Sequence, residues 1–333
     1  MRRLLKVGVV GLLLLLIFGG CLVAVQLQRQ PDWRAVDIPT LAAAHPATLA
    51  TGQVRLRFAG VSTLVFDDGE TAWMTDGFFS RPSLWAMLTQ PMSPNPARIT
   101  QALQVLQVKQ LAAVVPLHAH YDHAMDAPVV AQRTGARLIG DASALHIGKG
   151  LGLPLAQMQE VQPQEVVVLG QFRLQFIASR HSPTLYSDGH ARESITQDLV
   201  PPQRAPAWRE GQVWSLWVTH AQGGSWLVQG SAGFLPGALD HVRAETVFLG
   251  VGTLGHKDTA YRSAFWQATV QAVGARHVIP VHWDNFWRPL DQPLQAMPYL
   301  FDDFAVTMQD LRTRAQANHV QLHLPPLWTP FIR

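Results

Sequence analysis

Three imidazoles and a carboxylate fall within six residues at His118-Ala119-His120-Tyr121-Asp122-His123, directly after the apolar run Leu111 to Leu117. Short valine-rich apolar runs read as buried strands, and Pro116 helps to end this one. The four polar side chains therefore sit on a loop at the carboxyl end of a strand. His118 and His120 can point to one side of such a loop, while Asp122 and His123 turn toward a second, neighbouring position. Imidazole and carboxylate are donors that divalent transition metals take, so the spacing implies two adjacent metal positions.

A catalytic zinc keeps one coordination position open for water, whereas a structural zinc is closed by four protein ligands. Single histidines placed just after other strands are the natural complement. His181 follows Phe172 to Ala178, which alternates with period two, and His282 follows the β-rich run His277 to Val281. The expected sets are His118, His120 and His181 on one metal, and Asp122, His123 and His282 on the other. No Gly-x-Ser-x-Gly elbow occurs and the one cysteine, Cys21, lies near the N-terminus, so a serine or cysteine nucleophile has no support. Metal-activated water is the economical chemistry, with Asp122 both ligating and orienting that water. His256 lies in a predicted turn that faces either the pocket or solvent; His45, His146, His220, His241, His277, His319 and His323 have no ligand-like spacing.

These residues resemble the metallo-β-lactamase superfamily, whose signature is H-x-H-x-D-H followed by isolated histidines and acids at later strand ends. The resemblance runs from about Val54 onward. It implies an α/β fold, a four-layer αββα sandwich, and one or two zinc ions, with manganese and iron left open. It also implies that Asp76, in Trp73-Met74-Thr75-Asp76-Gly77, orients a ligand imidazole. The segment Val278 to Leu290 is similar to the phospholipase-D-like and lactonase-like branch. Where most of the family carries a metal-bridging aspartate in a Gly-Asp-x-Gly turn, this chain reads Gln229-Gly230-Ser231-Ala232-Gly233, so neutral Ser231 stands in for a carboxylate. Loss of that anion leaves the metal pair more positive, which favours hydroxide and weakens retention of the second ion. It also argues against a di-iron redox protein.

Met1-Arg2-Arg3-Leu4-Leu5-Lys6 is a basic leader ahead of the uncharged run Val7 to Val25, the pattern of an export or anchoring signal. A run of about 20 residues spans a bilayer, with the basic leader held on the cytoplasmic side. Phe18-Gly19-Gly20-Cys21 resembles a bacterial lipobox through its small residues. Lipoprotein processing and an uncleaved anchor both stand, and either places the catalytic domain in the cell envelope, periplasmic in a Gram-negative cell. Residues 1–27 are thus expected to be signal, anchor or lipoprotein signal, 28–52 a linker or irregular lead-in, and 53–333 the hydrolase domain.

A chain of 333 residues, 48% apolar and only 15% charged, has material for a large core and excludes disorder. One cysteine excludes an internal disulfide. The net charge of +3 is scattered, with no Lys or Arg run after the leader, so nucleic acid is not an expected partner. Nothing in the pattern fixes the oligomeric state.

Strand patterns are predicted at Val54 to Phe58, Thr63 to Asp67, Ala72 to Thr75, Arg137 to Gly140, Val166 to Leu169, Trp214 to Thr219, Ser225 to Gln229 and Thr246 to Gly250, besides those already named. Helices are predicted at Ile99 to Val108, Ala127 to Thr134, Tyr261 to Val273 and Phe301 to Ala317. Aromatic residues follow the key polar ones: Phe78 and Phe79 after Asp76, Trp283, Phe286 and Trp287 after His282. Phe78, Tyr186, Trp283 and Phe286 are the candidate walls of an apolar substrate pocket, with core packing as the competing use. The long stretch Ser182 to Gly211, carrying Tyr186, His190, Arg192 and Trp208, reads as a lid or specificity loop, or else an irregular surface loop.

The resulting expectation is a membrane-tethered, zinc-dependent hydrolase of an ester, amide or phosphodiester, acting on a small-molecule or lipid-like substrate. A lactonase or β-lactam hydrolase is the alternative among enzymes. A non-catalytic metal-binding envelope protein is the alternative outside them, raised by Ser231.

Overall fold

The computed structural model describes residues 18–45, 48–183 and 193–332. Two seven-stranded sheets lie face to face. In the first, β1 (Arg55–Phe58), β2 (Leu64–Asp67) and β3 (Ala72–Thr75) form an antiparallel meander. It continues in parallel through β4 (Ala113–Val115), β5 (Arg137–Gly140) and β6 (Met158–Glu160). The second sheet repeats the plan. β7 (Val166–Leu169), β8 (Phe172–Ala178), β9 (Trp214–His220) and β10 (Ser225–Gln229) are antiparallel, and β11 (Thr246–Gly250), β12 (His277–Val281) and β13 (Gln321–Leu322) are parallel. A last strand, β14 (Phe331–Ile332), returns to pair with β1 and ties the C-terminal end into the first sheet.

The inner faces meet in a core of Phe58, Phe66, Trp73, Phe172, Trp226 and Phe248 among others. Phe66 stacks on Trp73 at 4.4 Å between centroids and meets Phe172, Trp226 and Phe248 edge-on, geometries that aromatic quadrupoles favour. The outer faces are covered by helices. α3 (Pro96–Val105) and α5 (Ala127–Thr134) pack over Met74, Val114 and Leu138. α7 (Thr259–Trp266) and α8 (Phe304–Ala317) pack over Val247, Leu249 and Val278. Strands buried on both faces explain the continuous apolar runs of β4 and β11. This is the expected four-layer αββα sandwich.

Several elements differ from expectation for local reasons. α3 starts three residues early because Asn95 caps it, its side chain accepting from the Ala97 and Arg98 amides, with Pro96 at the first turn. The apolar run Leu111 to Leu117 pairs only over Ala113–Val115. The predicted helix to Val273 opens into a π-helical turn over Gln267–Gln271. α2 (Leu84–Thr89), capped by Ser83, and α6 (Ala142–Gly150), capped by Asp141, were not expected. The described residues 29–45 and 48–52 hold no helix or strand beyond a short 3-10 turn at Trp33–Ala35 yet are not a free linker: Trp33 packs on Trp283 at 5.6 Å, its indole N–H donates to the Leu294 carbonyl, and Leu41 bonds to Leu324.

Residues 18–28 form a helix, α1. Among the described residues no helix is long and apolar enough to cross a membrane; residues 1–17 of the leader lie outside them.

Candidate metal centre

The six expected ligands come from three places in the chain that all lie at the carboxyl ends of strands, on one edge of the sandwich. His118 and His120 leave β4, and Asp122 and His123 ride on the single turn α4 (Tyr121–Ala124). His181 follows β8 and His282 follows β12. The structure brings them into two groups, His118 with His120 and His181, and Asp122 with His123 and His282, the donor atoms of each lying within 4.8 Å of one another. The His118 and His123 rings lie 3.8 Å apart, so the groups share a wall.

The donor chemistry of both groups fits a cation. Nδ1 of His123 lies 2.8 Å from an Asp76 oxygen; a carboxylate accepts, so Nδ1 carries the proton and Nε2 presents a lone pair. That lone pair lies 3.1 Å from His282 Nε2 and 3.7 Å from an Asp122 oxygen, which is itself 3.4 Å from His282 Nε2. In the other group His118 Nε2 is 3.1 Å from His120 Nδ1, and His181 donates its Nδ1 proton to the Ser182 carbonyl, 2.8 Å away, leaving Nε2 free to ligate. Nitrogens this close need either a shared proton or a cation between them, and a cation can take all the lone pairs of a group at once.

Titration follows the same logic. Burial, then the neighbouring imidazoles, holds His118 well below the usual histidine range. Burial takes His120 down to about 4 and His181 to about 3. Neutral imidazole, the form that ligates, is thereby the resting form of this group. In the second group burial pulls His123 down, but the Asp76 and Asp122 carboxylates outweigh it and raise its pKa. Burial alone would push Asp122 up; the facing His123 and His282 reverse the sign and hold it well below the usual carboxylate range.

Backbone geometry aims two residues of the site. Asp76, at a left-handed φ of 54°, uses its second oxygen to accept the Leu117 amide at 2.8 Å, pinning the strand end that leads into His118. His282 also has a left-handed φ, 59°, a conformation that strains a non-glycine residue by about 1–3 kcal/mol. Its amide donates to the Val61 carbonyl, and the Val61 amide donates to Asp284, each at 2.8 Å. Asp284 also forms a fully buried ion pair with Arg81 at 2.6 Å. Gly60 is required here, because a Cβ would overlap the Arg81 guanidinium and its φ is +81°. The pattern of an acid two residues beyond His282 was available as a signal for this clamp, but its basic partner lies 203 positions away.

Ser231 is engaged with the segment beyond His181 rather than with an imidazole. Its hydroxyl accepts the Ser182 amide at 2.9 Å, and Ser182 Oγ pairs with Thr253 Oγ1 at 2.7 Å. The serine thus fastens the strap behind His181.

The four expected pocket residues separate. Trp283 is only 2% exposed and belongs to the core beneath α8, beside Phe304. The correction has a simple cause: with His282 turned toward the site, the next side chain points to the opposite face. Phe78 is fully buried behind Tyr121, at 6.0 Å between rings, and is packing rather than lining. Phe286 does border the centre, 5.5 Å from the His282 ring and 6.3 Å from Tyr121. Tyr186, with His190 and Arg192, lies outside the described residues. Trp287, another of the aromatics after His282, completes the wall with Tyr121: its indole donates to the Tyr121 hydroxyl at 3.0 Å, leaving the phenol proton to donate elsewhere. His256 instead meets the Tyr299 carbonyl at 3.1 Å.

No protein-family model matches the sequence. A UPF0173 metal-dependent hydrolase of Chloroflexus aurantiacus is 29% identical over 101 residues, 30% of this chain. The match spans only 38% of that relative's length. Among solved structures, the metallo hydrolase Igni18 of Ignicoccus hospitalis aligns with a TM-score of 0.51 at 14% identity, over 84% of this chain and 98% of its own. A variant of the β-hydroxylase CmlA also gives 0.51 at 14% identity, over 86% of this chain and 54% of its own. The paired sheets and flanking helices are the metallo-β-lactamase fold, and six candidate metal donors sit at its strand ends. A hydrolase and a hydroxylase share that scaffold, so the reaction must be argued from the site.

Proposed function

We propose that this protein is a metal-dependent hydrolase of an ester, amide or phosphodiester bond, using zinc in one or both donor groups. The observation that carries the reading is the pair of three-donor groups, each one ligand short of a closed tetrahedral zinc site. His120, His181 and His282 are only half-buried, which gives the open side a substrate needs. A bound divalent ion supplies Lewis acidity and water ionised near pH 7.

The chain's own groups do the rest. Asp122 is ionised and faces both His123 and His282, so it accepts a hydrogen bond from the attacking water and holds it at the shared wall. Asp76 fixes the His123 tautomer. Phe286 and the Tyr121–Trp287 pair form an apolar wall carrying one hydroxyl donor, suited to a substrate with an acyl or alkyl portion beside a polar scissile group. With the uncharged N-terminal run, this favours a lipid-like substrate of the cell envelope.

The test is metal content measured beside turnover of ester and phosphodiester reporters by the full-length protein. Zinc-loaded protein should hydrolyse at least one reporter, and His118→Ala or Asp122→Ala should lower the rate by about a hundredfold or more while circular dichroism stays unchanged. Full metal loading with no turnover on esters, phosphodiesters, lactones or a penicillin would point instead to the non-catalytic metal-binding protein.

A further inference from the structure

Of the exposed large apolar side chains, some, such as Leu155, Val105 and Val168, are scattered elsewhere, and four lie toward the ligand-bearing end. Trp85 is 70% exposed, Leu88 60%, Val200 59% and Leu300 45%. All four lie on segments that leave the carboxyl ends of strands, where the metal ligands sit: α2 after β3, residues 193–204 after β8, and residues 283–303 after β12. Each segment is fixed to the roof over the ligands. Met87 and Met92 pack with Phe78 and Tyr121, Leu199 with Ile147, and Phe301 lies 4.6 Å from the Trp287 ring. Met92 and Gln203 pair through their backbones, joining two of these segments.

The N-terminal helix descends to the same end. The Tyr299 amide donates to the Arg29 carbonyl at 3.0 Å and the Gln30 side chain to Gln295 at 2.6 Å, directly beside Leu300. Phe18, Leu22, Val23 and Val25 on α1 are each about half exposed or more, and they close the uncharged run that follows a basic leader. An apolar helix beside exposed tryptophan and leucine is the composition of a surface that meets lipid.

We propose that this ligand-bearing face docks on a bilayer, with α1 and α2 and the loops of Val200 and Leu300 in the interfacial layer, so that the metal centre opens toward the membrane. The proposal rests on the lipid-substrate reading for its use, but its test reads docking without turnover. Contact through this face would let a lipid reach the Phe286 and Tyr121 wall without crossing bulk water.

Full-length protein with Cys21→Ser would carry single additional substitutions Leu88→Cys, Val200→Cys or Leu300→Cys, each labelled with an environment-sensitive fluorophore. Val105→Cys and Val168→Cys are the controls. Val105 ends α3 near the amino end of β4, and Val168 pairs with Arg173 at the start of β8, both remote from the ligands. Vesicles of phosphatidylethanolamine and phosphatidylglycerol should raise emission about twofold, with a blue shift, at the three face positions and leave both controls unchanged. An equal response at both ends, or none at the face positions, would overturn the proposal. So would a response that appears without vesicles as protein concentration rises, since that outcome assigns the face to a second copy of the chain. Hydrolysis lost with docking retained would count against the proposed reaction alone.

Discussion

Asp76 shows how much a single carboxylate sets at the residue scale. One oxygen receives the Leu117 amide and the other the His123 Nδ1 proton, so the same side chain fixes a strand end and a tautomer. Asp76→Asn cannot do both. With its oxygen toward His123, its NH2 meets the Leu117 N–H donor to donor; turned over, its NH2 faces Nδ1, pushes the His123 proton to Nε2 and removes a ligand lone pair. The expected outcome is a loss of metal affinity of about 10–100-fold with the fold retained, measured by competition with a chelator and by elemental analysis.

At the scale of elements, the turn after β12 carries the argument. His282 is aimed by a left-handed backbone that Asp284, Arg81 and Val61 hold in place, and this clamp joins the second sheet to the first. Asp284→Ala leaves Arg81 buried without its counter-charge and the Val61 amide without an acceptor. Removing one partner of a buried pair destabilises by about 3–5 kcal/mol, expected here as a lower denaturant midpoint at unchanged slope, with the Asp122, His123 and His282 group losing metal first. This clamp also marks where sequence reading stops. The ligands were legible because donor type and strand-end position are local properties of His118 to His123, His181 and His282. The strands were legible because burial on two faces leaves long apolar runs. Arg81 was not, because nothing near it in the chain announces a partner 203 positions on. Trp283 misled because its neighbour's turn, not its composition, decides which face it takes. α6 carries two glycines, poor helix formers, and Gly148 sits where a Cβ would press on Met158 and Leu138, a packing reason that no local pattern announces.

For the whole molecule, the two donor groups differ in how protons compete with metal. In metal-stripped protein His120 and His181 titrate near 4 and 3, below the unfolded value of about 6.5. Between those limits the unfolded chain binds more protons than the folded one, so stability is fully present above about pH 6.5 and falls as pH drops through the window toward 3. His123 runs the other way: its pKa is raised, so protons reach it at higher pH than they reach the His118 group. On acidification of the metal-loaded protein, the ion held by Asp122, His123 and His282 should therefore leave first. The prediction is a stepwise release, one equivalent in mildly acidic buffer and the second only near pH 4, followed by dialysis at stepped pH and elemental analysis of the retained metal. A single cooperative release of both ions would show that the two groups act as one centre, joined across the His118 and His123 wall more tightly than their separate proton affinities allow.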